Sequence, residues 1–311
     1  MPYCERCGKK LEEDARYCSF CGYDSHVVLP PQSEPDKIPT ESGETPLTEQ
    51  SLVIQEQPPS WGRRVIFVAL IIIVFLAVVF SATLLLPELF RPQPTQTING
   101  MSWSGYSVSS SLGTPQPEVT KVSGTWVVPT IVSSSGSAYS AAWVGIGGQY
   151  DQTLIQTGTE HDIVRGKVNY SAWYEMLPDY PVYLNMTVAP GDVMTASISL
   201  TDASTNTWSI SLMDVTKGQL FQQDFQYYSS MLTAEWVVER PTVFRGVGNL
   251  ANFGEVTFTK CNAVIGGKSG SVMDFPSSLL IMNGHRNNQL VSISDFSTSS
   301  LGFTVTFEAS N

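Results

Sequence analysis

The 311-residue sequence predicts an all-β fold for residues 100–311, preceded by a cysteine-rich module and a long apolar run. The evidence is a repeated pattern of short runs rich in β-branched and aromatic residues, such as SGTWVVP, TASISLT and GFTVTF. Clusters of Gly, Pro, Asn, Asp or Ser separate these runs, and no convincing amphipathic helix interrupts them. The pattern indicates an antiparallel sandwich or barrel. A segment of about 210 residues suits a large antiparallel β-sandwich of two sheets.

The N-terminal module holds four of the five cysteines of the chain. Cys4, Cys7, Cys18 and Cys21 form two C-x2-C pairs, which is the spacing of a structural zinc site. A module over residues 1–24 buries too little apolar surface to fold alone, so the metal would supply its folding energy. Four thiolates leave no open coordination position, and we therefore predict structural Zn²⁺ in a zinc ribbon that carries no chemistry. The module resembles the short zinc ribbons that head many prokaryotic membrane proteins.

Two other interpretations of the cysteine pairs are disulfides and a redox C-x-x-C motif. The cytoplasmic location predicted below disfavours disulfides, and the absence of a βαβ pattern disfavours the redox motif.

A linker and a membrane anchor are predicted after the zinc ribbon. Residues 25–62 are rich in Pro and acidic residues and lack periodicity, which is typical of a disordered linker. The run from Val65 to Leu86 contains no charged residue, and as a helix it would span about 33 Å, the thickness of a bilayer core. We therefore predict a single transmembrane helix over residues 63–87. A cleaved signal peptide is disfavoured because more than sixty residues precede the run.

Charges at the ends of the apolar run predict its orientation. Arg63 and Arg64 precede it, whereas Arg91 follows it together with Glu88. The positive-inside rule then places the N-terminus in the cytoplasm. With residues 88–99 as a tether, the predicted β-sandwich is extracellular on a single-pass protein of the cell membrane.

Composition excludes some function classes for this chain. The net charge of −11 over the whole chain argues against nucleic-acid binding, because a phosphate backbone is met by Lys and Arg. Cys261 is the single cysteine of the outer domain, and we expect it to be a small buried residue in a core held by packing. Neither His161 nor His285 has a plausible nucleophile nearby in sequence, so a serine or cysteine hydrolase is weakly supported.

Two strand-like segments carry polar residues at alternating positions. In LTAEWVVERP, alternation places Glu235 and Glu239 on one face and Trp236 on the other. In LIQTGTE, it places Gln156 and Glu160 on one face. The pattern alone neither pairs Gln156 with Glu235 nor separates a reactive glutamate from an exposed one. A lectin-like binding module would present the same residue types on a concave sheet.

Several motifs of the outer domain occur in the order and approximate spacing of a known enzyme family. They are VSGTWVVPT, AAWVGIGG, LIQTG, SAWYEMLPDYP, APGD, LTAEWVVERP and LANFGEVTFT. The chain from SWSGYSV at Ser102 to the closing GFTVTF thus resembles the glutamic peptidases, or eqolisins. The resemblance implies a β-sandwich of two long antiparallel sheets with a substrate cleft on one concave face.

The resemblance also implies a catalytic pair, Gln156 and Glu235. A carboxylate can take a proton from a water that attacks a peptide carbonyl and return it to the leaving nitrogen. A neutral amide can hold that water and donate to the developing oxyanion. No catalytic cofactor is needed. Since the family acts at acidic pH, we expect Glu235 to titrate in its ordinary range of about 4 to 5.

Three further residues match positions of the family that bind substrate or support the pair. Trp143 matches a residue of the cleft, and Glu175 matches a supporting carboxylate. Glu160 stands where fungal members have an aspartate that braces the glutamine. Gly147 departs from the family pattern, because fungal members carry an aspartate there.

The sequence therefore predicts a membrane-anchored glutamic endopeptidase that cleaves peptide or protein substrates at acidic pH. The alternative is an inactive β-sandwich that binds peptide or glycan at the cell surface. In either case the zinc ribbon is expected to contact a cytoplasmic protein partner.

Overall fold

The computed structural model describes the β-sandwich and very little of what precedes it. The described residues are 72–73, 93–110, 116–132, 136–243 and 246–310. The zinc-ribbon cysteines, the predicted linker and nearly all of the predicted transmembrane run lie outside them. Ile72 and Ile73 are helical and exposed, and within the described ranges no helix is both long and apolar enough to span a bilayer. Contacts divide the chain into Met1–Ile73 and Val74–Asn311, and the strands belong to the second unit.

The described part of Val74–Asn311 consists of short strands and one turn of 3-10 helix at Val272–Asp274. In chain order the strands are β1 (Gln96–Gly100), β2 (Trp103–Ser109), β3 (Val119–Val127), β4 (Ala141–Gly147), β5 (Leu154–Val164), β6 (Lys167–Met176), β7 (Val182–Tyr183), β8 (Val193–Asp202), β9 (Thr207–Asp214), β10 (Gln219–Gln226), β11 (Thr233–Glu239), β12 (Thr242–Val243), β13 (Gly246–Val247), β14 (Glu255–Ile265), β15 (Lys268–Gly270), β16 (Ser277–Met282), β17 (Val291–Ile293) and β18 (Phe303–Phe307).

These strands form two large sheets. The first sheet has the order β1-β16-β2-β11-β4-β5-β6-β7, and the second has the order β10-β9-β8-β3-β14-β18-β17, with β15 paired to β14. Strands β12 and β13 form a separate hairpin. Pairing is antiparallel throughout except between β1 and β16. The predicted all-β sandwich is therefore confirmed.

The main core lies between the two sheets and is filled by large aromatic side chains. Trp126, Trp208 and Trp236 are all fully buried. Trp236 fits because Gly124 on β3 leaves room for its ring: a Cβ at Gly124 would lie 2.8 Å from the indole. Cys261 is buried in the same core, as predicted.

Strand β1 shortens the predicted tether. Residues 96–99 were assigned to the tether, yet Gln96–Gly100 pairs in parallel with β16. Backbone and side chain of Thr95 both donate to Ser277 O, at 2.8 and 2.7 Å. The last residues of the predicted tether thus pair with the sheet, because the polar TQTING run forms backbone hydrogen bonds along β16.

The other face of the first sheet carries a smaller apolar cluster of its own. Its buried members are Ala141, Trp143, Leu154, Trp173, Val237 and Leu280. Alternation along β11 sends Trp236 to the main core and Glu235 to this second face, as the sequence predicted. We call this second face the cleft face.

Candidate active site

Gln156 and Glu235 lie in one row of the first sheet. Gly145 on β4 pairs with Glu235 on β11 and, on its other side, with Gln156 on β5. Residues directly opposite each other in a sheet point to the same face, so both side chains stand on the cleft face. Two inter-strand spacings, roughly 9.5 Å, separate their Cα atoms. The long side chains of Glu and Gln can therefore approach a common point above Gly145.

Gly145 is a structural requirement of this row. A Cβ placed there would lie 2.9 Å from Trp143 Cζ3, 3.0 Å from Leu154 Cδ1 and 3.2 Å from Gln156 Cβ. The Trp143 ring and the Leu154 side chain thus converge over the glycine. Tyr227 fixes Leu154 in this position, because its hydroxyl accepts from the Leu154 N–H at 2.8 Å.

Glu235 is completely buried, and neither of its carboxylate oxygens makes a hydrogen bond of normal geometry in the described part of the chain, although the Thr233 hydroxyl is close enough to lower its pKa. Gln156 Oε1 and Ser107 Oγ, in the same row, are also buried without a partner. Buried polar groups of this kind are normally satisfied by ordered water. The row therefore offers several acceptors and a hydroxyl to a water held between the two side chains.

Burial raises the pKa of Glu235 well above its usual value, and the Thr233 hydroxyl offsets only part of this effect. The predicted titration of Glu235 near pH 4 to 5 is therefore wrong for this structure. The physical reason is that the carboxyl is sealed from solvent, which disfavours its charged form.

The amide of Gln156 is oriented by Glu175. Gln156 Nε2 donates to Glu175 Oε2 at 2.5 Å, and the two residues are paired on β5 and β6. Glu160 instead accepts from Ser171 at 3.4 Å and from the Tyr183 hydroxyl. In this structure the partner of the Gln156 amide is Glu175, its direct neighbour across the β5–β6 ladder, whereas Glu160 lies four residues further along β5. The bracing role of Glu160 stays a prediction.

Trp143 lies below the surface of the site. Its side chain is fully buried, its ring packs edge-on against Trp103 at 5.0 Å, and its Nε1 donates to Glu239 Oε2 at 2.8 Å. Trp103 and Trp173 line the cavity described below, whereas Trp143 does not, so any effect of Trp143 on substrate binding stays a prediction. Trp143 supports the floor of the site instead.

A cavity of about 560 Å³ opens on the cleft face beside Gln156. Aromatic residues and carboxylates line it, among them Trp103, Trp173, Tyr183, Gln156, Glu160, Asp162, Glu175 and Glu239. Leu154 is part of the lining, whereas Glu235 is not. Leu154 Cδ1 lies over Gly145, the position between Gln156 and Glu235 in the row, which makes Leu154 the candidate barrier between Glu235 and the cavity.

Two carboxyls that line the cavity, Asp162 and Glu239, were not among the site residues predicted from the sequence. Burial, with a smaller effect from the charge of Glu160, raises the pKa of Asp162 to about 7. Burial also raises the pKa of Glu239 to about 7, opposed by hydrogen bonds from the two tryptophans beside it. Strand alternation could have predicted both residues on the cleft face. Asp162 shares a face of β5 with Gln156, and Glu239 shares a face of β11 with Glu235.

Comparison with known proteins agrees with this architecture. The model of the peptidase A4 family matches residues 101–307, which hold every strand of the β-sandwich except β1 and make up more than half of the chain. The chain belongs to the peptidase A4 family. Its β-sandwich is a glutamic endopeptidase domain, as the resemblance implied. A zinc-ribbon domain model matches residues 3–24, where the cysteine spacing predicted one.

Two characterised fungal peptidases are similar in sequence. Aspergillopepsin-2 of Aspergillus niger is 29% identical over 213 residues, which cover 60% of this chain and 73% of that protein. Scytalidopepsin B of Scytalidium lignicola is 32% identical over 175 residues, covering 52% of this chain and 65% of the relative.

Solved A4-family structures share the fold. Scytalido-glutamic peptidase with a peptide-based transition-state analog aligns with a TM-score of 0.56 at 25% identity, covering 67% of this chain and 98% of that one. An eqolisin in complex with the tripeptide Ala-Ile-His aligns with a TM-score of 0.53 at the same identity and coverage.

Gly147 has a local explanation within this A4 domain. Its φ is +93°, and a Cβ would lie 2.2 Å from Thr153 O. The backbone of this chain therefore cannot accept the aspartate of the fungal pattern without moving the loop that precedes β5.

Proposed function

We propose that this chain is a membrane-anchored glutamic endopeptidase that hydrolyses peptide bonds at acidic pH through Gln156 and Glu235. The observation that carries the proposal is their common row: both face one point above Gly145, and both present oxygens without a protein partner. The solved relatives that bind a peptide-based analog and a tripeptide support peptide or protein as the substrate class.

In the proposed reaction, a water lies between the Glu235 carboxylate and Gln156 Oε1. Glu235 removes a proton from the water as its oxygen attacks the peptide carbonyl carbon. The second N–H of Gln156 Nε2 donates to the carbonyl oxygen as negative charge develops there. Glu235 then transfers the proton to the leaving nitrogen, and the C–N bond breaks. The hydrogen bond to Glu175 fixes the amide during these steps.

The reaction requires that Glu235 become accessible and ionised. We propose that the Leu154 side chain, which lies over Gly145, separates Glu235 from the cavity. Burial is the main cause of the raised pKa of Glu235. A displacement of Leu154 that admits water would hydrate the carboxyl and lower its pKa toward the usual range. Substrate entry beside Gln156 is the event that we propose displaces Leu154.

The test is peptide hydrolysis by the purified full-length chain from pH 2 to 7. We expect cleavage at acidic pH that Glu235→Gln and Gln156→Ala abolish. A wild-type chain that folds but cleaves no peptide at any of these pH values would favour the inactive peptide- or glycan-binding module.

We further propose that residues 63–87 anchor the protein, with the N-terminus in the cytoplasm and the peptidase domain outside. The length of the uncharged run and the preceding Arg63 and Arg64 support this orientation. Protease added to intact cells should remove the C-terminal domain and spare the N-terminal module. Protection of the C-terminal domain would contradict it.

For the N-terminal module we propose a structural Zn²⁺ held by Cys4, Cys7, Cys18 and Cys21. The family match over residues 3–24 and the four-thiolate donor set support the assignment. Metal analysis of the purified chain should find one zinc per chain, lost on substitution of Cys4 and Cys7 by Ser. A protein partner of the module in the cytoplasm is part of the same proposal.

A further inference from the structure

Ser107 lies on the opposite side of Glu235 from Gln156. It pairs directly with Glu235 across the β2–β11 ladder, so the two side chains share the cleft face with Cα atoms about 4.5 to 5.5 Å apart. Ser107 is 1% exposed, and its Oγ has no hydrogen-bond partner in the described ranges. The row thus contains a buried hydroxyl without a partner beside a buried carboxylate, on which, among the described residues, only the Thr233 hydroxyl acts as a side-chain donor.

Other serines near this row show that such hydroxyls are normally satisfied. Ser104, on the same strand and equally buried, donates to Val238 O at 2.9 Å. Ser278, the neighbour of Ser107 on β16, accepts from Gln96 Nε2 at 2.9 Å. Ser107 is the exception among the three, and the group it faces is the carboxylate of Glu235.

Few charged groups act on Glu235. Asp151, in the segment before β5, raises the pKa of Glu235 by its charge. The residues that flank Glu235 in its row, Ser107 on β2 and Gly145 on β4, carry no charge, and neither does Thr233 two positions earlier on β11. No cation of the described chain is recorded among the groups that shift its pKa. The ionised carboxylate therefore depends on neutral hydrogen-bond donors.

We propose that Ser107 is a positioning residue of the peptidase site, whose hydroxyl donates a hydrogen bond to the Glu235 carboxylate when that group is ionised. Rotation of the serine side chain is sufficient to direct the hydroxyl to a carboxylate at this separation. The bond holds one carboxylate oxygen from the β2 side and leaves the other for the water above Gly145. This inference rests on the proposed role of Glu235 as general base.

The bond would act on the ionised form alone. A hydrogen bond to the charged form of a carboxyl lowers its pKa. Removal of the Ser107 hydroxyl should therefore raise the pKa of Glu235 and reduce kcat at acidic pH, with little effect on substrate affinity. A purely structural role of Ser107 would change thermal stability and leave the titration of Glu235 in place.

The experiment compares full-length wild type, Ser107→Ala and the matched control Ser104→Ala. Glutamate Cδ is labelled with carbon-13, and the Glu235 resonance is assigned by its absence in Glu235→Gln. For Ser107→Ala we expect the titration midpoint of Glu235 to rise by about one unit. We expect kcat to fall about tenfold, with KM within about twofold and the acidic limb of the pH profile moved to higher pH.

Ser104→Ala should lower the melting temperature and leave both the midpoint and the pH profile unchanged. An unchanged midpoint in Ser107→Ala, or an equal shift in Ser104→Ala, would overturn the proposal. The carbon-13 titration needs no turnover. If the wild type cleaves no peptide, the proposed function fails, and the resonance still decides whether Ser107 stabilises the Glu235 carboxylate.

Discussion

Gln156 and Glu235 stand on either side of Gly145, each paired with it in the first sheet. The same row continues to Glu175 beyond Gln156 and to Ser107 beyond Glu235. Polar side chains thus flank a position without a side chain. The candidate site is built by strand register on rigid elements, which holds side chains more closely than loops do.

Gly145→Ala tests the space between the pair. The new Cβ would meet Trp143, Leu154 and Gln156 at 2.9 to 3.2 Å, so the neighbours must shift. We expect kcat/KM to fall at least about tenfold, because a displacement of about 1 Å at a reacting group is costly. Gly100→Ala is the control, since a Cβ there has no atom within 4 Å. Full activity in Gly145→Ala would show that the space above this glycine is not used.

Glu175 and Glu160 are expected to differ in their effect on Gln156. Glu175→Ala removes the acceptor of the Gln156 amide, so we expect kcat to fall about 10- to 100-fold from loss of orientation. Glu160→Ala removes a carboxylate that contacts Ser171 and Tyr183, and its effect on kcat should be within about threefold. Steady-state kinetics at one acidic pH distinguish the two. A larger loss of kcat in Glu160→Ala than in Glu175→Ala would show that Glu160 orients Gln156, as the family resemblance implies.

Stability should decrease as pH rises toward neutrality. Asp162 and Glu239 have folded-state pKa values of about 7, above those of the unfolded chain at about 4. The folded state therefore binds more protons between these values, and the free energy of unfolding has a negative slope with pH there. Their contribution is fully present below about pH 4 and is lost as pH rises through about 7. Thermal melts from pH 3 to 8 measure this loss of stability.

Neutral variants of the same two residues give the matching control. Asp162→Asn and Glu239→Gln should each reduce the decrease in the free energy of unfolding with pH, because each removes a carboxyl that binds a proton in the folded state and not in the unfolded state. Asp224→Asn, exposed on β10 of the second sheet, should not change the slope. A decline of equal steepness in all three variants would assign the effect to other groups.

Leu154→Ala tests the barrier between Glu235 and the cavity. Alanine removes the Cδ1 atom above Gly145, so water should reach the carboxyl and its titration midpoint should fall. The melting temperature should fall as well, since a buried Leu→Ala change costs about 2 to 5 kcal/mol. Leu280→Ala, in the same apolar cluster, is the control for stability loss alone. Equal titration midpoints of Glu235 in Leu154→Ala and Leu280→Ala would show that Leu154 does not separate Glu235 from the cavity.

The faces of the strands were predictable, whereas their burial was not. Alternation correctly placed Glu235 opposite Trp236 and Gln156 with Glu160 on one side of β5. It could not show that Glu235 is fully buried, because the side chains around it, such as Leu154 over Gly145, are brought there only by the register of the strands. Pairing partners distant in sequence are set by the whole fold.

The same limit applies to single contacts within the site. The resemblance implies Glu160 as the brace because a family position can be transferred by sequence, whereas the contact of Glu175 with Gln156 depends on the pairing of β5 with β6. In the sequence, nothing distinguishes Ser107 from the other residues of the run SWSGYSV. Only the pairing of β2 with β11 places it beside Glu235.

The most direct test of the central claim is hydrolysis of a peptide library by the full-length chain at acidic pH, with Glu235→Gln, Gln156→Ala and the exposed control Glu255→Gln. The account predicts that the first two variants fold like wild type and lose at least about 100-fold in kcat, whereas the control retains full turnover. Turnover within about threefold of wild type in either dyad variant would contradict the assignment.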